Sequence, residues 1–332
     1  MITSKDVANK AGVSVSTVSR VFSNPELISE KVRERVLKVA EELNYIPDTT
    51  ARNLKMNKRN TVGVIVSDSE NPFYVRVIRE FNALPSNKDI KTFIMFSEEN
   101  PEKEYSDIVS LVSSKVQAIL FTPTGESNKK IESVLISNEI PALQLYRKKF
   151  DRIDSLIIDD GYGAYLATKE LIKNGHKDIV LLDYKLSIPT HRDDGYIRAF
   201  KEAGIKYNPN NIVKFSFDDE FDKKFLSLLK DRNHTAYIPT GAKMIHTLYR
   251  CLGDLNLKAK EDVSIIAYDD IAMAKYLNLS AISHPFQDIA IAANKIIQNR
   301  IENPNCDPQE ILLKPFLINR DSVKKIWAVK LI

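Results

Sequence analysis

The sequence predicts a small all-α head of helix-turn-helix form, joined by a short basic segment to a two-lobed α/β body with doubly wound parallel sheets. Three observations point there. Small apolar residues at helical spacing fill the first 46 positions, and from Thr61 onward continuous apolar runs of strand length alternate with amphipathic helical stretches. Positive charge is concentrated ahead of residue 61: the first 60 residues carry eleven Lys and Arg against seven Asp and Glu, while the rest of the 332-residue chain carries 37 of each sign. A basic head on a neutral body is the electrostatic footprint of a polyanion binder.

Within the head, Thr3 followed three residues later by Asp6 predicts a capping box, Val7, Ala8 and Ala11 share one face, and Gly12 ends the helix. Ser14 is the expected N-cap of a second helix, whose Val18, Val21 and Phe22 turn to a common core. At 100° per residue, Ser16 and Arg20 then project outward, with Val15 and Ser19 beside them. A third helix is expected from about Ser29 to Leu43, with Val32, Val36, Val39, Ala40 and Leu43 on its inner stripe and Asn44 at its end. Helix, glycine turn and helix together suit a major groove, where Arg20 matches the O6 and N7 of guanine and the Val15 methyls match a thymine methyl.

Beyond Pro47, Asp48 can cap a helix of about ten residues over TTARNLKMNK, shorter than the ~12 to 15 that persist alone in water. Taken by itself the segment reads as a solvated linker. Its basic character with one protruding leucine also matches an apolar wedge pushed between base steps of a minor groove.

KDVANKAGVSVSTVSRVFSN, then EELNYIP, then ARNLKMNKRNTVGVIV resembles the start of the lactose repressor and galactose repressor family of bacterial regulators, with the spacing of its purine-repressor branch. The resemblance implies that residues 47–60 form a hinge helix, that Leu54 is the lever side chain, and that two copies meet on palindromic operator DNA. By the same matching Val15, Ser16 and Arg20 read bases, Thr17, Asn24 and Tyr45 lie near phosphate, and Lys55 lies in the minor groove.

In the body, TVGVIVS, KTFIMFS, VQAILFTP, PALQLY, SLIID, DIVLLD, IVKFSF, TAYIPT and VSIIAYDD are the expected strands, with helices between them. Some 270 residues exceed one comfortable core, so two lobes are expected with a boundary near Asp159. The resemblance covers this part too and implies a type I periplasmic-binding-protein-like body with a ligand cleft. Expected units are a head of 1–46, a hinge of 47–60, and a body of 61–332. Lobe 1 then spans about 61–158 plus 286–316, and lobe 2 about 159–285 plus 317–332.

Ligands in such sheets bind beyond the carboxyl ends of strands. The resemblance assigns Arg192 and Asp269 to effector contacts, and DSENPFY (68 to 74) to the loop over the cleft. Phe73, Phe217 and Phe286 are candidate apolar walls, and Tyr146, Asp159 and His284 complete the effector set. Three places depart from the family pattern: Thr240, Gly241, Ala242 and Lys243 stand for a polar pair, Tyr146 with Arg147 stands for Asp-Arg, and Asp160 stands for a common Asn. The effector therefore stays open among sugars, sugar phosphates and purines.

The competing readings are an enzyme and a transport binding protein. The chain has no GxxxxGK[ST], no GxGxxG after a strand, no HExxH and no GxSxG; His176, His191, His234, His246 and His284 are scattered, and Cys251 and Cys306 form no metal-ligand pattern. No catalytic residue, cofactor or metal is expected. MITSKDVANKAGVS lacks a signal-peptide core and no run approaches the ~18 apolar residues of a span, so a cytoplasmic protein is expected. No heptad tail follows Ile318, which favours a dimer.

Overall fold

The computed structural model describes residues 2–46, 60–186, 188–216 and 220–326; the expected hinge with Leu54 and Lys55, and the candidate wall Phe217, lie outside the described residues. The described residues divide into two units at the Asn60–Thr61 bond.

In the first unit, α1 (Ser4–Ala11) starts with a reciprocal box: the Asp6 N–H donates to Thr3 Oγ1 at 3.4 Å, and the Thr3 N–H donates to the Asp6 carboxylate at 2.8 Å. Gly12 stops it at φ +63°, where a side chain would be strained. Helix α2 (Val15–Ser23) opens on Ser14, whose Oγ accepts from the Thr17 N–H at 3.1 Å. Helix α3 (Glu30–Glu42) closes with Asn44 in the left-handed region, φ +51°, and the Tyr45 N–H donating back to the Ala40 carbonyl at 2.8 Å. Val7, Ala8, Ala11, Val18, Val21, Val36, Val39 and Ala40 form the buried centre, with Phe22, Val32 and Leu43 partly buried around it.

The second unit holds two lobes on one plan. Lobe 1 alternates β1 (Thr61–Val66), α4 (Pro72–Asn82), β2 (Lys91–Phe96), α5 (Pro101–Ser113), β3 (Ala118–Phe121), α6 (Lys130–Ser137), β4 (Ala142–Tyr146) and β5 (Asp154–Ile158). Lobe 2 follows with α7 (Asp160–Lys173), β6 (Ile179–Tyr184), α8 (Arg192–Glu202), β7 (Ile212–Phe215), α9 (Phe221–Lys230), β8 (Ala236–Pro239), α10 (Ala242–Asp254), β9 (Ser264–Tyr268), α11 (Ala272–Tyr276) and β10 (Ser280–Ser283). The chain then returns as α12 (Phe286–Glu302) and β11 (Glu310–Leu313), and crosses once more as β12 (Phe316–Ile318).

Strand orders are β2-β1-β3-β4-β5-β11 and β7-β6-β8-β9-β10-β12, parallel throughout except for β10 with β12. The chain passes between lobes three times, at β5–α7, β10–α12 and β11–β12, and the Asp159 N–H donates to the Leu313 carbonyl at 2.9 Å, bonding the first crossing to the third. Each central strand is apolar on both faces because helices cover both sides; edge strand β2 instead exposes Phe93 and Ile94. Helices α7 and α8 approach so closely that a Cβ on Gly195 would overlap the Gly161 carbonyl.

Two buried titratable groups distinguish the lobes. In lobe 1, Glu104 is fully buried and accepts from the hydroxyls of Thr124 and Ser127 at 2.8 and 2.7 Å. In lobe 2, the His176 ring is buried between Thr235 Oγ1 at 2.8 Å and the Lys324 carbonyl at 3.1 Å, tying the segment after β12 to the sheet.

Candidate functional site

Two surfaces carry chemistry. On α2, the apolar stripe Val18 and Val21 is consumed by the core, which turns Val15, Ser16, Ser19 and Arg20 to solvent. Val15 is 45% exposed although nothing in the fold requires an apolar residue there. Arg20 has no ion-pair partner among the described residues, so its fork of donors is free. Ser14 Oγ lies 2.8 Å from both Ser16 Oγ and Thr17 Oγ1, a hydroxyl cluster at the start of the helix. Asn24 follows the helix half-buried, and Tyr45 packs its ring 5.9 Å from that of Phe22.

The second surface is a cleft between the lobes, partly open to solvent, at the carboxyl ends of both sheets. The charged lobe-2 groups in it are bonded to one another or to neighbouring side chains. Arg192, the first residue of α8, donates from Nη1 to Asp183 Oδ1 at 3.0 Å and from Nη2 to Asp160 Oδ2 at 3.3 Å, and its guanidinium lies 4.6 Å from the Tyr268 ring centroid. Burial opposes its charge, but Asp160 and Asp183 outweigh that and hold it firmly protonated. The Thr240 hydroxyl donates to the same Asp183 oxygen at 2.8 Å, and the Tyr268 hydroxyl lies 2.8 Å from the Asp160 carbonyl oxygen. Asp269 sits at φ +79° after β9, with one carboxylate oxygen 2.8 Å from His284 Nε2 and the other accepting from Asn71 of lobe 1 at 3.5 Å. A non-glycine residue in that backbone region costs about 1 to 3 kcal/mol and is held only where the surroundings demand it.

Lobe 1 contributes mainly rings. Phe73 stands 4.8 Å from both Tyr146 and His284, and Tyr74 lies 5.5 Å from Tyr146. The Tyr74 hydroxyl is 2.9 Å from Ser67 Oγ, and burial pushes its pKa up to about 12. Burial likewise raises Tyr146, which sits at φ +69° as the last residue of β4, so both phenols stay neutral donors. Arg147 beside them donates to Glu99 at 2.6 Å and to the Pro123 carbonyl at 3.2 Å.

Two family descriptions match this chain: "Bacterial regulatory proteins, lacI family" over residues 3–48, and "Periplasmic binding proteins and sugar binding domain of LacI family" over residues 59–307. The chain belongs to the lacI family of bacterial regulatory proteins. It is 30% identical to the ribose operon repressor of Haemophilus influenzae over 97% of this chain and 99% of that one. It is 29% identical to the HTH-type transcriptional repressor PurR of Histophilus somni over 98% of this chain and 100% of that one. Its fold is that of the Lac repressor dimer bound to operator and the anti-inducer ONPF, with a TM-score of 0.76 and 22% identity over 97% of this chain and 99% of that one. Membership places the chain among transcriptional regulators rather than enzymes.

Against this lacI-family frame, the structure brings five of the eight effector candidates together: Phe73, Tyr146, Arg192, Asp269 and His284 all line the cleft. Asp159 does not. Its carboxylate accepts from the Tyr162 N–H at 2.9 Å as the cap of α7, and its neighbour Asp160 faces the cleft instead. Phe286 stands behind Phe73, 5.5 Å from it, under the guanidinium of Arg76. Missing from the sequence-based reading were Tyr184 and Thr190 as cleft groups and Asp183 as the partner of Arg192 and Thr240, while Asn71 and Tyr74 fall within the 68–74 loop expected over the cleft. An acid closing the buried run DIVLLD was a readable signal for Asp183, since a charge at a strand end needs a partner. Within the Thr240–Lys243 departure, a Cβ on Gly241 would come 2.7 Å from the Tyr184 ring, and the Lys243 ammonium lies 5.0 Å over the Phe221 ring.

Proposed function

We propose that the chain is a homodimeric, cytoplasmic repressor that grips a two-fold symmetric operator through α2 of each copy and answers to a small effector held between the lobes. The observation that carries this is the outward face of α2, where Val15, Ser16, Ser19 and Arg20 are exposed together on a unit of net positive charge. In this reading the head of 1–46 docks in the major groove, with Thr17, Asn24 and Tyr45 toward phosphates. Residues 47–60 then enter the minor groove, where Leu54 is the wedge and Lys55 its companion. Residues 61–332 form the sensing body, whose lobe angle sets the distance between two heads. A coupling of about 1 to 3 kcal/mol between lobe angle and operator affinity is ordinary for such devices.

The exposed Phe93 and Ile94 of edge strand β2 and Tyr276 of α11 suit self-association in the dimer. No helix among the described residues is long and apolar enough to cross a membrane. Genes of carbohydrate use are the expected targets, as the name of the Haemophilus relative suggests. A second reading, a purine co-repressor, is favoured by the aromatic rings of Phe73 and Tyr146 in the cleft lining, against which a base can pack.

The test is selection of duplexes from a random pool by the full-length protein, followed by binding of the selected palindrome at several salt concentrations. Arg20→Ala should relax preference at one base pair per half-site, at a cost of about 1 to 3 kcal/mol there. Equal loss on all sequences would reduce Arg20 to a phosphate contact, and absence of any selected palindrome would sink the reading.

A further inference from the structure

We propose that the cleft excludes anionic ligands and takes an uncharged or cationic polyhydroxylated molecule, with Asp160 setting this preference by holding Arg192. The inference rests on the reading of the interlobe cleft as the effector site. Its starting point is that both guanidiniums in the cleft are already engaged. Arg192 spends Nη1 on Asp183 and Nη2 on Asp160 while its face lies over Tyr268, and only Nε, which is buried, has no partner in the cleft. Arg147 is paired with Glu99 and the Pro123 carbonyl. A phosphate or carboxylate is recognised by two parallel donors of one fork; Arg192 has both terminal nitrogens taken, and the charge of Arg147 is matched by Glu99 at 2.6 Å.

Charge points the same way. The lining groups and their direct partners comprise Asp68, Glu99, Asp160, Asp183 and Asp269 against Arg147 and Arg192, so five carboxylates face two guanidiniums. A further anion would meet a surplus of its own sign in a partly desolvated space. Hydroxyl groups fit what remains. Arg192 Nε needs a single acceptor, and His284 Nδ1 is buried without a partner. A hydroxyl both gives and accepts, so a polyol can satisfy the two at once.

Asp160 carries the specificity because it is the weaker and more exposed clamp on Arg192, at 3.3 Å against 3.0 Å for Asp183, which is also committed to Thr240. An asparagine there keeps an acceptor for Tyr268 and removes the charge. It would leave Arg192 with a free Nη2 and one fewer carboxylate in front of an incoming phosphate.

The experiment uses the full-length protein and matched probes at equal ionic strength: D-ribose with D-ribose 5-phosphate, D-glucose with D-glucosamine and glucose 6-phosphate, adenosine with its 5′-monophosphate, and inorganic phosphate alone. Thermal midpoints and calorimetric Kd are measured on wild type, Asp160→Asn, Asp183→Asn, Asp269→Asn, Arg192→Gln and the double variant Asp160→Asn with Arg192→Gln, with near-UV circular dichroism verifying the fold. The expected result is that in wild type each phosphorylated probe binds at least about tenfold more weakly than its parent, and that Asp160→Asn gains about tenfold for phosphate-bearing probes. Adding Arg192→Gln to Asp160→Asn should erase that gain. Tighter, Arg192-dependent binding of a phosphorylated probe by wild type overturns the inference and leaves the cleft reading intact. Failure of folded Asp160→Asn to gain phosphate binding overturns the role given to Asp160. A probe whose Kd is unchanged by Arg192→Gln and Asp269→Asn binds elsewhere, and the cleft reading falls with it.

Discussion

The two lobes share one strand order and one way of opening onto the cleft, yet they line it with opposite chemistry. Lobe 1 presents the rings of Phe73, Tyr74 and Tyr146, while lobe 2 presents a bonded set of Asp160, Asp183, Arg192, Thr240 and Tyr268. The topology puts strand ends at the cleft; it does not choose the residue that follows each strand. Lobe 1 can change ligand contact by repacking, since rings slide at little cost, whereas lobe 2 cannot release one charge without stranding another.

The contrast is most easily broken at Asp183. Asp183→Ala leaves the Arg192 Nη1 and the Thr240 hydroxyl buried without a partner, so lobe 2 should lose about 3 kcal/mol, read as an earlier denaturant midpoint. A loss below about 1 kcal/mol would mean that Asp160 alone carries Arg192. On the other side, Phe73→Leu keeps most of the volume and forfeits edge-to-face contacts with Tyr146 and His284, so about 1 kcal/mol is expected from lobe 1.

Acid should separate the lobes by sign. Burial lowers the His176 pKa from 6.5 to about 4, so its contribution is complete above pH 6.5 and is lost as pH falls from there toward 4. Burial raises Glu104 above its ordinary 4.5, so the strain of ionising it is greatest at neutral pH and is relieved as pH falls toward 4.5. Lobe 1 has no histidine between residues 61 and 158. Hydrogen exchange followed by peptide mass analysis at pH 7 and pH 5 should therefore show lobe 2 opening more and lobe 1 opening no more; uniform loosening would remove His176 as the cause. The smallest expected effect is at Arg198, exposed on α8 and paired with Glu202 at 2.8 Å, where Arg198→Ala should cost at most about 0.5 kcal/mol.

Much of this was legible from residues alone, and the failures have physical reasons. The capping box at Thr3, the Val18 and Val21 stripe and the nine apolar strand runs each rest on a short-range rule that tertiary packing did not override. Strands β10, β11 and β12 escaped because Ser280–Ser283 holds one large apolar residue, β11 and β12 are part-exposed strands at the sheet edges, and pairing partners far along the chain define them. Of the adjacent acids Asp159 and Asp160, sequence offers no choice: one caps the helix and the next, turned about 100° round the axis, meets Arg192. Phe73 and Phe286 look equivalent as aromatic candidates until the packing layers put one in front of the other.

The three passages between the lobes, two of them hydrogen-bonded to each other through Asp159 and Leu313, act together as a flexure. Several short threads side by side bend readily about the line joining them and resist torsion and sliding. An occupant of the cleft is thereby restricted to one mechanical output, an opening angle, whatever its shape. Molecules of different outline can thus deliver a graded version of the same stroke, and selectivity has to be exercised by what they bond to.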